Sequence, residues 1–151
     1  MVTYNTGNIL GSSAEALVNT VNTVGVMGKG IALQFKNEFP HNYKVYRNVC
    51  QNRQLQIGGL LAVKDQSLRL GERLIINFPT KTHWQWPSEY NYVEQGLVAL
   101  AKLIAEERIK HIAIPALGCG NGGLDWLIVT KMIDHYLASL DAMIELYPPT
   151  L

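Results

Sequence analysis

Along this 151-residue chain, short apolar runs alternate with stretches whose apolar positions recur every three or four residues. The first pattern marks strands and the second amphipathic helices. Residues 1–5, with Val2 and Tyr4, read as an edge or second-from-edge strand that enters a turn at Thr6-Gly7-Asn8. Residues 16–22 have a strand's length and a partly alternating pattern, then break into Gly25-Val26-Met27-Gly28-Lys29-Gly30. Ile31, Ala32, Phe35 and Phe39 predict a helix that Pro40 stops, and Tyr43, Tyr46, Val49 and Cys50 predict a second short one. Residues 59–63 and 74–78 read as a hairpin around a polar turn at 65–71, and Pro79 is expected to end its second strand. Residues 80–87 then read as an irregular basic and aromatic loop. Ser88 opens a long helix with a stripe of Val93, Leu97, Leu100, Ala101 and Ile104, ending near Glu107. A strand around Ile112-Ala113-Ile114, a glycine loop, a helix over 124–140 and a last strand at 143–146 complete the pattern.

Helices alternating with mostly apolar strands argue for an α/β sandwich with ligand loops at one edge of the sheet. The length fits one domain with a sizeable core, and no repeat, linker or low-complexity segment divides it. A formal net charge of +1 gives no electrostatic case for non-specific nucleic-acid binding. Any nucleic acid would be recognised locally, through one modified or exposed nucleotide. Cys50 and Cys119 make no disulfide framework, and neither a signal-like segment nor a membrane-length apolar run is present. A cytoplasmic protein without a membrane association is the expectation. His41, His83, His111 and His135 show no metal-ligand spacing, so neither a metal nor a cofactor is expected.

The candidate chemistry centres on Leu117-Gly118-Cys119-Gly120-Asn121-Gly122-Gly123, with four glycines in the last six residues. Such a loop brings several backbone N–H groups together at a helix start and can hold a phosphate without a basic side chain. Gly118-x-Gly120-x-x-Gly123 matches a dinucleotide fingerprint in form, but the chain cannot supply the second half of that fold. Gly25 to Gly30 does not match a phosphate-binding Walker loop, because no Ser or Thr follows Lys29. Two glycine loops after two strands could instead grip one diphosphate from both sides. A ribose would then lie near Asn19, Asn22 and the loop from Gly25 to Gly30, with Gly28, Lys29 and Gly30 in it, unless both asparagines only satisfy strand-end backbone groups. Lys81 could act at an anomeric carbon if the neighbouring aromatics lower its pKa, or be a solvated surface charge. Trp84 and Trp86 could stack on a base or pack on the core. Cys119 lacks a partner base and reads as a small residue in a tight loop.

The segments Ala16-Leu17-Val18-Asn19-Thr20-Val21-Asn22, Gly28-Lys29-Gly30-Ile31-Ala32, and Pro115-Ala116-Leu117-Gly118-Cys119-Gly120 with Gly122-Gly123-Leu124 resemble the macrodomain family over nearly the whole chain. More narrowly, Asn77-Phe78-Pro79-Thr80-Lys81-x-His83-Trp84 and Gly123-Leu124-Asp125-Trp126 are similar to the DarG-type macrodomains of toxin–antitoxin systems. The resemblance implies a three-layer α/β/α domain with a mixed central sheet over residues 1–151, and a cleft for ADP-ribose. It implies removal of ADP-ribose from thymidine bases in single-stranded DNA, without a metal, by an antitoxin that opposes a cognate DarT-like toxin. Lys81 matches the lysine implied in catalysis, Asn22 the asparagine beside the distal ribose, and Gly118 to Gly123 the diphosphate loop. Asn8 and Ile9 fall where the family contacts adenine, with Asn8 in place of a common Asp. His83 or Trp84 would contact the thymine. Related glycohydrolases pair their lysine with an Asp in the glycine loop; here Gly122 takes that position and Asp125 lies three residues later. A non-catalytic ADP-ribose reader remains the rival reading, and a monomer is the expected state. The end after Tyr147-Pro148-Pro149 is compatible with a further C-terminal domain.

Overall fold

The computed structural model describes residues 1–149. Six strands form one mixed sheet: β1 (Val2–Tyr4), β2 (Ala16–Asn22), β3 (Leu61–Ser67), β4 (Gly71–Lys81), β5 (His111–Ile114) and β6 (Met143–Leu146). Their order is β1-β6-β5-β2-β4-β3, and only β3 runs antiparallel to its neighbour. β2 is central and almost wholly buried, in keeping with its apolar start at Ala16, Leu17 and Val18, while the polar residues Asn19, Thr20 and Asn22 come toward its carboxyl end. β3 lies at an edge and buries only Val63 and Ser67, so its pattern is polar.

Helices cover both faces. On one side α1 (Gly30–Glu38) and α2 (Pro40–Gln51) bury Phe35, Phe39, Tyr46 and Cys50 against Leu17, Val21 and Ile75. On the other, α3 (Tyr90–Glu106) and α4 (Trp126–Leu137) pack Val93, Leu97, Leu100, Val129 and Ile133 on Val18, Ile76, Phe78 and Ile112. The three expected layers are thus present. α3 lies very close to the sheet at Gly96, where a Cβ would sit 2.2 Å from the Phe78 ring.

Several boundaries differ from expectation: β3 runs over Leu61–Ser67 and takes up residues expected in the turn, α4 stops at Leu137, and three differences bear on the cleft. β4 does not stop at Pro79 but continues to Lys81. β3 begins opposite Asn77, so beyond that point β4 has β2 as its only strand neighbour among the described residues, and the β2–β4 register shifts next to Pro79. An open edge and an irregular ladder are where a strand tolerates a proline. Lys81 therefore stands on a strand end and not within an irregular loop. Ser88 lies two residues before α3 and is buried against the glycine loop, to which its N–H is bonded at Gly122 O. α4 starts at Trp126, with the Asp125 carboxylate accepting from Leu127 N–H at 2.9 Å as its cap.

Candidate functional site

The carboxyl ends of the five mutually parallel strands share one edge of the sheet, and a cleft of about 460 Å³ opens there. β2 leads to α1 on one face while its neighbour β5 leads to α4 on the other. The two exit loops part and leave a crevice, the usual place for a ligand in such sheets. Strand order puts Asn8, Ile9 and Tyr147 at one end of the cleft and Lys81 and Trp84 at the other.

Gly28, Lys29 and Gly30 form one wall with the start of α1; Gly118, Cys119, Gly120, Asn121 and Gly122 form the other. Gly118 has φ +71°, and a Cβ there would lie 2.6 Å from Leu124 Cδ1 and 3.2 Å from Ser88 Cβ. Only glycine suits both the conformation and the space. The loop is closed by Leu124 N–H on Gly118 O and Gly123 N–H on Gly120 O, whereas the N–H groups of Gly118 and Asn121 have no acceptor among the described residues. Those free donors are what an anion requires. Burial, and then the nearby Asp125 carboxylate, push the Cys119 thiol up to about 11, so it is a neutral side chain.

Asn22 lines the cleft, yet its amide is largely committed to the protein. Its Oδ1 accepts from the N–H groups of Val24, Gly25 and Val26 at 3.1, 3.1 and 3.3 Å and lies 3.0 Å from the Tyr46 hydroxyl; its Nδ2 donates to Val26 O at 2.8 Å. One amide hydrogen remains for a ligand. Asn19 is a correction to the expected ribose site. Period-two alternation turns it to the α2 side, fully buried behind the cleft, where its Nδ2 lies 3.5 Å from Asn77 Oδ1 beside a reciprocal Asn42–Asn77 amide pair.

The Lys81 amine donates to Trp84 O at 3.2 Å and to Asn121 O at 3.3 Å, joining the end of β4 to the glycine loop. Burial, and then the charge of Lys29, lower its pKa. No carboxylate lines the cleft among the described residues, and Asp125 is occupied as a helix cap. Trp84 reaches the cleft, but His83 does not: it is stacked on Trp84 with ring centroids 5.4 Å apart and tilted against Trp86 at 5.2 Å. Leu117 and Gly123 also fall outside the lining, Leu117 in the core and Gly123 as the left-handed end of the loop's 3₁₀ turn. Sequence reasoning missed Thr20, Gln34, Thr80, Ser88 and Tyr147, all of which line the cleft. Thr20 and Thr80, on the paired ends of β2 and β4, carried a signal in the strand alternation. Ser88 Oγ is buried without a partner among the described residues. The described residues contain no group of three or more His, Cys, Asp or Glu able to hold a metal ion.

A cleft at the parallel strand ends, walled by a glycine loop with free N–H groups among the described residues, is a shape and chemistry suited to a phosphate-bearing small molecule. The chain belongs to the macro domain family, whose model matches residues 18–133. It is 49% identical over 150 residues to a DNA ADP-ribosyl glycohydrolase of Thermus aquaticus, covering 99% of this chain and 41% of that protein. The solved macrodomain of Mycobacterium tuberculosis DarG matches with a TM-score of 0.95 at 46% identity over 99% of both chains. Thermosipho africanus DarTG in complex with ADP-ribose matches with a TM-score of 0.87 at 36% identity, over 97% of this chain and 42% of that one. The chain thus spans less than half the length of the curated relative from Thermus aquaticus. No helix among the described residues is long and apolar enough to cross a membrane.

Proposed function

We propose that this macrodomain hydrolyses the N-glycosidic bond between ADP-ribose and a thymidine base of single-stranded DNA. It would do so as the monomeric catalytic part of a cytoplasmic antitoxin that opposes a cognate DarT-like toxin. The observation that carries the reading is Lys81, a lysine of lowered pKa fixed between Trp84 O and the glycine-loop residue Asn121 in a cleft that no carboxylate lines among the described residues. The likeness to DNA ADP-ribosyl glycohydrolases supports it. In this reading Asn8 and Ile9 face the adenine, the walls of Gly28 to Gly30 and Gly118 to Gly122 hold the diphosphate, and Asn22 gives its free hydrogen to the distal ribose. Trp84 lies against the thymine.

Among the described residues no carboxylate lines the cleft to activate water, and Lys81, with Lys29 near enough to lower its pKa, is the side chain to which acid–base or nucleophilic work is assigned. Its ammonium form can give a proton to the departing thymine nitrogen while water adds at the anomeric carbon. Its neutral form can instead bond to that carbon as the bond to the thymine nitrogen breaks, passing an amine proton to that nitrogen; the ribose ring then opens to an imine, which water hydrolyses to ADP-ribose and free Lys81. The test is a thymidine-ADP-ribosylated oligonucleotide incubated with wild type and Lys81→Ala. Wild type is expected to release ADP-ribose and the variant to lose roughly 10²–10⁴-fold in rate. Binding without release by wild type would sink the enzyme reading in favour of a reader module; a fully active Lys81→Ala would sink the assignment of Lys81. Reductive trapping of a protein–ADP-ribose adduct separates the nucleophile from the proton donor.

A further inference from the structure

The net charge of +1 conceals an uneven distribution. Residues 26–58, which include α1 and α2, carry Lys29, Lys36, Lys44, Arg47 and Arg53. Their one acid, Glu38, is bonded to Ser67 and Arg69. On the opposite face, residues 89–107 carry four acids against the single base Lys102. Two hollows cross the basic face. One of about 400 Å³ begins at Val26 and Gly28, which also line the cleft, and continues to Lys36, Tyr43 and Arg47. A second of about 700 Å³ shares those three residues and extends to Lys44. No carboxylate lines either hollow. Among the described residues Lys36, Lys44 and Arg47 take part in no ion pair, and the Lys36 ammonium lies 4.7 Å from the centroid of the half-buried Tyr43 ring.

We propose, on the hydrolase reading above, that this α1–α2 surface is the track for the DNA backbone that flanks the modified thymidine. The modified base would leave the cleft beside Asn22, four residues from Val26, where the first hollow begins. A single strand is held by a positive groove that follows its phosphates together with aromatic faces that accept bases. Unpaired Lys44 and Arg47 supply the charge without breaking any existing ion pair, and Tyr43 supplies the ring. A free nucleotide adduct would need the cleft alone; a strand would use both.

The test compares wild type with the double variant Lys44→Glu/Arg47→Glu, both positions being exposed on α2. Fluorescence anisotropy with an unmodified single-stranded oligonucleotide is expected to show about 10-fold weaker binding. The log–log salt slope should fall by about 1.4, the value for two phosphate contacts on a single strand. The variant should release ADP-ribose more slowly from a modified oligonucleotide but at the wild-type rate from a modified thymidine nucleoside. Unchanged DNA affinity overturns the track and leaves the surface to an acidic protein; an equal loss on both substrates also overturns it. If wild type shows the predicted DNA binding yet releases ADP-ribose from neither substrate, the hydrolase reading fails while the track stands.

Discussion

The hydroxyl of Tyr46 lies 2.7 Å from the backbone oxygen of Asn22 and 3.0 Å from its side-chain oxygen, so a fully buried residue of α2 holds the residue that shapes the cleft wall. Tyr46→Phe removes that tie while keeping the ring. Chemical denaturation should report a loss of about 1 kcal/mol. Titration calorimetry should show weaker ADP-ribose binding, with Asn22→Ala weaker still because three backbone donors of residues 24–26 lose their acceptor.

Gly118 and Gly120 both have positive φ, but only Gly118 is also crowded, by Leu124 and Ser88. Gly120→Ala should meet the backbone penalty alone, about 1–2 kcal/mol, and retain measurable binding. Gly118→Ala must in addition displace the start of the loop. It should abolish ADP-ribose binding in the same calorimetric assay while the circular dichroism spectrum stays α/β.

Ser88 Oγ is a buried hydroxyl with no partner among the described residues, beside the loop whose N–H groups are free. An unsatisfied buried polar group costs about 1–3 kcal/mol. Ser88→Ala should therefore raise the melting temperature of the ligand-free protein and weaken ADP-ribose binding. A variant that is destabilised and binds normally would show that the hydroxyl has no part in the site.

Glu145 ties the far end of the cleft together. Its carboxylate accepts from Asn5 Nδ2, Ser12 Oγ and the Tyr147 hydroxyl, and it contacts His111 Nε2. Burial alone would raise its pKa, but the hydrogen bonds from His111, Ser12 and Tyr147 and the charge of His111 together bring it below the usual carboxylate value. A folded-state pKa lower than the unfolded one means that the group stabilises the fold above the ordinary carboxylate range. That contribution is lost as pH falls through the lowered value. Thermal melts of wild type from neutral to strongly acidic pH should show this loss, and Glu145→Gln should flatten that part of the profile.

Gly96 lets α3 approach Phe78, and a methyl group there would overlap the ring. Gly96→Ala raises helix propensity yet should destabilise the protein by about 1–3 kcal/mol through overpacking. A stabilised variant in denaturant titrations would contradict the close contact.

Much of the architecture was legible because periodicity reports burial: the apolar start of β2 and the spaced apolar residues of α2 and α3 follow directly from what covers them. The glycine loop and Lys81 stood out in the sequence only as candidates, with a surface charge also open for the lysine; it is the fold that brings both to the walls of one cleft. Asn19 and Asn22 have opposite parity on β2, so alternation puts only one of them on the α2 side; which of the two would meet the cleft depended on the loops that build its walls, and those are not written in β2 itself. Pro79 misled because its effect depends on where β3 begins. Ser88 carried no local signal at all; its importance arises from contact with glycines thirty and thirty-four residues away. His83 sat in the right motif, but its aromatic neighbours engage it.

The commitment of Asn22 to residues 24–26 has a kinetic side. That wall is assembled in the free protein by five hydrogen bonds, so an arriving ligand does not have to order it. Preorganisation of this kind spares the complex the entropy of fixing a loop. On the proposed function, capture at this wall would be governed by diffusion and orientation, and selectivity among adducts would show itself in how long each one stays.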